Sequence, residues 1–218
     1  MKLLVLLSVC SCLALNAWTQ PRPCVSPPWI TGGISMSMKD GAKTSSGMFT
    51  YDGWGQQVRF RNFETEHSTT HFTDLLMNFK QKVIYEIDHA SQTCKKKSLE
   101  TSFHPMQVPP DSLFFGQAIM GTTSIPAGGL LVNNWVGEVS EIKAQYMLIF
   151  SEYTCLPITA MVHRPGLGWT AISFFNQVLT VLDPSDFTPP AFCQNAVFEE
   201  TENTDFIKAI HSVIEQNI

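Results

Sequence analysis

Ahead of Thr201, the dominant pattern of apolar residues in this 218-residue chain is recurrence at every second position. Successive side chains of a strand point to opposite faces, so period two predicts strands with one buried face. Ile34, Met36 and Met38 alternate with Ser35 and Ser37, and Gly47 to Tyr51 carries Met48 and Phe49 into the turn Asp52-Gly53. Beyond that turn Val58, Phe60 and Asn62 alternate with Arg59 and Arg61. Asp-Gly between two such runs is a hairpin signal. Leu75 to Phe79 and Val83 to Ile87 flank Lys80-Gln81-Lys82 and read as a second hairpin. Further strands are expected around Leu130–Trp135, Gln145–Ser151, Leu156–Val162, Thr170–Phe175 and Val178–Leu182. About ten strands in one chain bury an apolar face only if the sheet curls or folds over. The expected fold class is mainly β: two antiparallel sheets curled into a half-open barrel or sandwich. The proline-rich run Phe103 to Pro110 reads as the crossing between two hairpin systems.

Both ends depart from this pattern. Lys2 followed by the apolar run Leu3 to Leu15 reads as a secretory leader, residues 1–19, cleaved after Ala17 or Thr19. The β domain is expected over 20–200. In the acidic tail, 201–218, Phe206, Ile207, Ile210, Val213 and Ile214 recur at helical spacing after the capping residues Asn203 and Thr204. That pattern predicts a C-terminal helix docking its apolar stripe on the sheet.

Of the six cysteines, Cys10 and Cys12 belong to the leader. Cys24, Cys94, Cys155 and Cys193 remain, an even number in an oxidising compartment, which implies two disulfides with three connectivities open. No Cys-x-x-Cys pair occurs, which argues against zinc ribbons and thioredoxin-like sites. Cys193 ends the stretch Asp186 to Cys193, D-F-T-P-P-A-F-C. Its paired prolines hold the backbone extended, so the cysteine sits on a stiff strap suited to a permanent bridge.

Composition and motifs narrow the function. A net charge of −5 argues against nucleic acid as a partner. After the leader no apolar run reaches the length of a transmembrane helix. His67 and His71 have metal-like spacing, but Ser68 stands where a zinc protease needs glutamate, so they read as loop histidines. No nucleophile elbow, P-loop or dinucleotide fingerprint appears, and the chain is not expected to be an enzyme.

Several segments in one order resemble the ependymin family. They are P-R-P-C at Pro21 to Cys24, G-M-F-T-Y-D at Gly47 to Asp52, V-I-Y-E-I-D at Val83 to Asp88 and C-K-K-K-S-L at Cys94 to Leu99. C-L-P at Cys155 to Pro157, the proline strap and V-F-E-E at Val197 to Glu200 complete the set. The acidic tail is closer to fish-type members. The resemblance implies a secreted protein of extracellular fluid, described as calcium-binding and linked to cell–matrix contact and neural plasticity. It also implies a fold like bacterial lipoprotein carriers, with an apolar pocket between two sheets, and a homodimer. By family pattern Cys24 pairs with Cys155 and Cys94 with Cys193. One departure stands out: ependymins are typically N-glycosylated, and this chain has no Asn-x-Ser/Thr.

Two functional readings follow. The leading one is a hydrophobic, lipid-like ligand held between the sheets, with Met36, Met48, Met77, Met147 and Phe174 as candidate pocket residues, because methionine adapts its shape to apolar ligands. The alternative is a calcium-binding protein of the extracellular matrix or of cell–matrix adhesion. Its candidate oxygen ligands are Glu86 and Asp88, which share one strand face, and Asp183 and Asp186 before the proline strap. Calcium is the one cofactor expected; no organic cofactor is.

Overall fold

The computed structural model describes residues 20–140, 142–180 and 183–199. The expected leader (1–19) and tail helix (201–218) lie outside the described residues. Alternating segments form β1 (Trp29–Met38), β2 (Lys43–Asp52), β3 (Gln57–Glu66), β4 (Thr69–Asn78), β5 (Val83–Asp88) and β6 (Thr93–Ser98). After a connection come β7 (Leu113–Gly121), β8 (Gly129–Val139), β9 (Ala144–Ser151), β10 (Pro157–Arg164), β11 (Gly168–Val178) and the short β12 (Phe198–Glu199). The strand order is β12-β6-β5-β4-β3-β2-β1-β11-β10-β9-β8-β7.

Two antiparallel meanders, β1–β6 and β7–β11, are thus joined edge to edge by the β1–β11 ladder. The expectation of a mainly β, half-open antiparallel fold holds, with one refinement. The two sheets are one hydrogen-bonded sheet, open rather than closed, that folds so that one face of both meanders shares a core. Ile30, Ile34, Phe49, Tyr51, Phe60 and Leu75 come to that core from the first meander. Trp135, Leu148, Phe150, Ala160, Val162 and Ile172 come from the second. Each large apolar side chain buried there is worth about 1.5–3 kcal/mol.

Both hairpins read from the sequence are present. The β2–β3 turn is closed by Asp52, whose Oδ1 accepts the Gly55 N–H at 2.7 Å. Three strand assignments change. Thr93 to Ser98, where no strand is expected, forms β6. Leu113 to Gly121 is β7, although its apolar residues do not alternate. The strand expected over Val178 to Leu182 is not separate among the described residues: Val178 ends β11, and Leu179 and Thr180 follow it without regular structure.

Both disulfides implied by the resemblance form. Cys24–Cys155 and Cys94–Cys193 have Cα–Cα distances of 6.0 and 5.1 Å. Each fastens an irregular segment to one side of the sheet. Because the chain spans 131 and 99 residues between the partners, each bridge restricts the unfolded chain strongly.

Candidate functional site

The concave side of the sheet is roofed by residues 24–28 and 103–108. Val25 pairs with Gln107, the Ser26 N–H donates to the Met106 carbonyl at 2.8 Å, and the Val108 N–H donates to the Cys24 carbonyl at 2.9 Å. Cys24–Cys155 and a 2.7 Å hydrogen bond from Ser26 Oγ to the Cys155 carbonyl tie this roof to the loop before β10. Phe103 stacks on Tyr51, with ring centroids 6.1 Å apart, and meets Phe79 edge-on at 5.3 Å. Tyr51 Oη accepts the Met106 N–H at 3.2 Å, and burial raises its pKa above the ordinary phenol value. Under the roof lies an apolar cavity of about 70 Å³. Its walls are Ile34 and Phe60 from one meander and Leu148, Phe150, Ile172 and Phe174 from the other, with Phe103 and Met106 overhead.

The outer side is covered differently. Residues 183–193, in two 3₁₀ turns (Pro184–Phe187 and Ala191–Cys193), lie across β3–β6 and end at Cys94–Cys193. Beneath them Arg59 and Asp74 form a bidentate ion pair: Nε to Oδ1 at 2.8 Å and Nη2 to Oδ2 at 2.7 Å. Both side chains are buried. Arg59 Nη1 also donates to the Asp186 carbonyl at 2.9 Å, and His89 Nε2 lies 2.8 Å from Asp74 Oδ2. Leu76, Ile87, Phe187 and Phe192 form a small apolar cluster around the bridge.

The family model named Ependymin matches residues 67–193. Ependymin-2 of Carassius auratus is 34% identical over 206 residues, covering 93% of this chain and 95% of that protein. Ependymin of Notemigonus crysoleucas is 33% identical over the same shares. This chain belongs to the ependymin family. Among solved structures, an uncharacterized conserved protein from Thermus thermophilus shares the fold, with a TM-score of 0.50 at 9% identity, over 89% of this chain and 99% of that one.

In this ependymin only Phe174 of the five expected pocket residues lines the cavity. Met36 and Met77 are buried in the surrounding core. Met48 is corrected to the outer face, where it is 54% exposed, because Phe49 and Tyr51 take the inward positions of β2. Met147 is likewise half-buried on the outward phase of β9, with Tyr146 and Leu148 pointing in. The roof residue Phe103 and the wall residue Tyr51 were not among the candidates.

The four candidate calcium ligands do not converge. Glu86 Oε1 accepts from Lys97 Nζ at 2.7 Å on the inner face. Asp88 caps the β5–β6 turn, accepting from the Ala90 N–H at 2.8 Å and from Ser91 Oγ at 2.7 Å, and the Ser91 bonds lower its pKa. Asp183 caps its 3₁₀ turn through the Ser185 N–H, which lowers its pKa too. Asp186 Oδ1 binds Arg61 Nη2 at 2.8 Å. Among the described residues no three His, Cys, Asp or Glu side chains gather as metal ligands would. His67 sits in the β3–β4 turn, and His71 Nε2 lies 3.5 Å from Glu64 Oε2.

Proposed function

We propose that this ependymin is a secreted carrier that holds an apolar ligand in the chamber between its two meanders. The observation that carries the reading is the cavity itself: it has walls from both halves of the sheet, almost no polar lining, and a roof that is irregular coil. At about 70 Å³ the closed chamber takes only a few atoms of a ligand. A longer chain, such as an acyl tail, enters by taking the places of Phe103 and Met106. The exchange is one of carbon for carbon and strands no charge, so it costs little beyond moving the roof.

Native mass spectrometry of protein secreted from eukaryotic cells, with lipid extraction in parallel, tests the proposal. Co-purifying apolar mass that is released by solvent is expected. A fluorescent fatty-acid probe should bind more tightly to Phe103→Ala than to the parent chain, because that truncation enlarges the chamber at about 2 kcal/mol of stability. Protein that carries no apolar mass, and whose Phe103→Ala variant takes up no more probe than the parent, would sink the reading.

A further inference from the structure

The outer face of β3, β2, β1 and β11 carries a shallow trough of about 430 Å³, on the opposite side of the sheet from the chamber. Cross-strand register defines it. One row runs Phe72, Phe63, Ser46, Ser35, Ser173 from β4 to β11. The next row runs Thr70, Thr65, Thr44, Ser37, Ala171 over the same strands. The floor is therefore small and hydroxyl-bearing.

Large aromatic side chains flank that floor, with Phe63 lining the trough itself. Phe63 and Phe72 stand at one end, 60% and 46% exposed, with ring centroids 5.3 Å apart. Trp169 stands at the other end of the second row's strand, 46% exposed, with His163 against its ring. Phe175 flanks the first row and lies over Gly33, where a Cβ would run into its ring. Folding alone gives no reason to leave these rings in water on both sides of a polar floor. From β3 to β11 is three strand spacings, about 14 Å.

We propose that this trough binds an uncharged oligosaccharide. None of the side chains of the two rows ionises, so the floor offers no counter-charge to an anion or a cation. Its serine and threonine hydroxyls both donate and accept, which matches a ligand that is itself a rim of hydroxyls. The rings present negative π-faces to the weakly positive C–H faces of sugar rings. A purely apolar ligand would leave the hydroxyl floor without partners. A sugar chain satisfies floor and rings together, and the trough's length suits a few rings laid across the strands.

The test is amide-resolved NMR titration of the full secreted chain with neutral tri- to pentasaccharides of the malto, cello, chito and lacto series. Binding is expected in the millimolar range for at least one series, with shifts confined to the trough amides, including Ser35, Ser46 and Thr65. Phe63→Ala and Trp169→Ala should each weaken it by about threefold to tenfold. Ser46→Arg, which fills an exposed floor position without touching the core, should abolish it, whereas Phe115→Ala on distant β7 should leave it unchanged. Two results overturn the proposal: no series shifts the trough amides, or Phe63→Ala and Ser46→Arg bind as the parent does. Thermal melting of each variant confirms that the fold is retained, and occupancy of the apolar chamber, measured separately, does not bear on the outcome.

Discussion

On the concave side residues 103–108 lie over Tyr51, Phe79 and the chamber, held by aromatic contacts and by uncharged hydrogen bonds of Met106 and Val108. On the outer side residues 183–193 lie over Arg59 and Asp74, and Asp186 supplies a carbonyl and a carboxylate to two guanidinium groups. The roof is coil, the strap is built from two short 3₁₀ turns, and each is stapled by one disulfide. The difference lies in what lifting them does. Raising the roof breaks a few uncharged hydrogen bonds and exposes apolar surface that another apolar molecule can cover. Raising the outer strap takes a carbonyl and a carboxylate from two arginines and gives nothing in return. One cover is therefore suited to exchange and the other to permanence.

The disulfides give the sharpest separation. Cys94→Ala/Cys193→Ala and Cys24→Ala/Cys155→Ala should each lower stability by roughly 4–5 kcal/mol in urea titrations, since both bridges close long loops. Only the second pair should raise uptake of an apolar probe, because only it frees the roof. Equal uptake by the two variants would erase the distinction between the covers.

Asp74 comes next. Asp74→Ala leaves the Arg59 guanidinium buried without its carboxylate, so a loss of about 3–5 kcal/mol is expected. The double change Arg59→Met/Asp74→Leu should cost clearly less, because no charge is left stranded. If the double variant melts below the single one, the outer strap is held by something other than this pair.

The smallest effect is on pH dependence, and it separates the two sides by sign. Asp183 has a lowered pKa in the fold, through the hydrogen bonds from Ser185. Its contribution is present above the unfolded value of about 4 and disappears as pH falls through the folded value. Tyr51 has a raised pKa because of burial, so its contribution is present below about 10 and is lost as pH rises further. Hydrogen exchange should therefore show residues 183–193 loosening first in acid and residues 103–108 first in alkali. The reverse order would contradict the assignment of these groups to the two covers.

Much of the sheet was legible in the sequence, because alternation and Asp-Gly turns are local signals. β6 was hidden by its three lysines: Lys97 is buried against Glu86, a pairing that no reading of strand propensity anticipates. β7 was hidden because it is apolar on successive residues and mostly exposed, so it has no alternation to read. β5 buries both faces, with Ile84 inward and Ile87 under the outer strap. Of the acidic face expected to supply calcium ligands, Glu86 is therefore drawn into an ion pair with Lys97, while Asp88 at the strand end stays exposed. The pocket was less legible. Met48-Phe49 and Met147-Leu148 are adjacent apolar pairs, and either member of each could have pointed inward. The roof comes from a segment with no period at all, placed by the Cys24–Cys155 bridge and by Tyr51 rather than by its own pattern.

The order of the strands leaves the sheet asymmetric at its margins. At one margin β12 runs along β6 in parallel, seating Phe198 and Glu199 beside Lys96 and Lys97. At the other, β7 has a neighbour on one side only among the described residues and carries exposed Leu113, Phe115 and Ile119. Growth of a fibril by strand addition needs two open margins per molecule, whereas closure of a symmetric pair needs one. A margin formed by a two-residue strand offers almost no ladder to extend, so strand addition favours the β7 margin, where two copies can pair once.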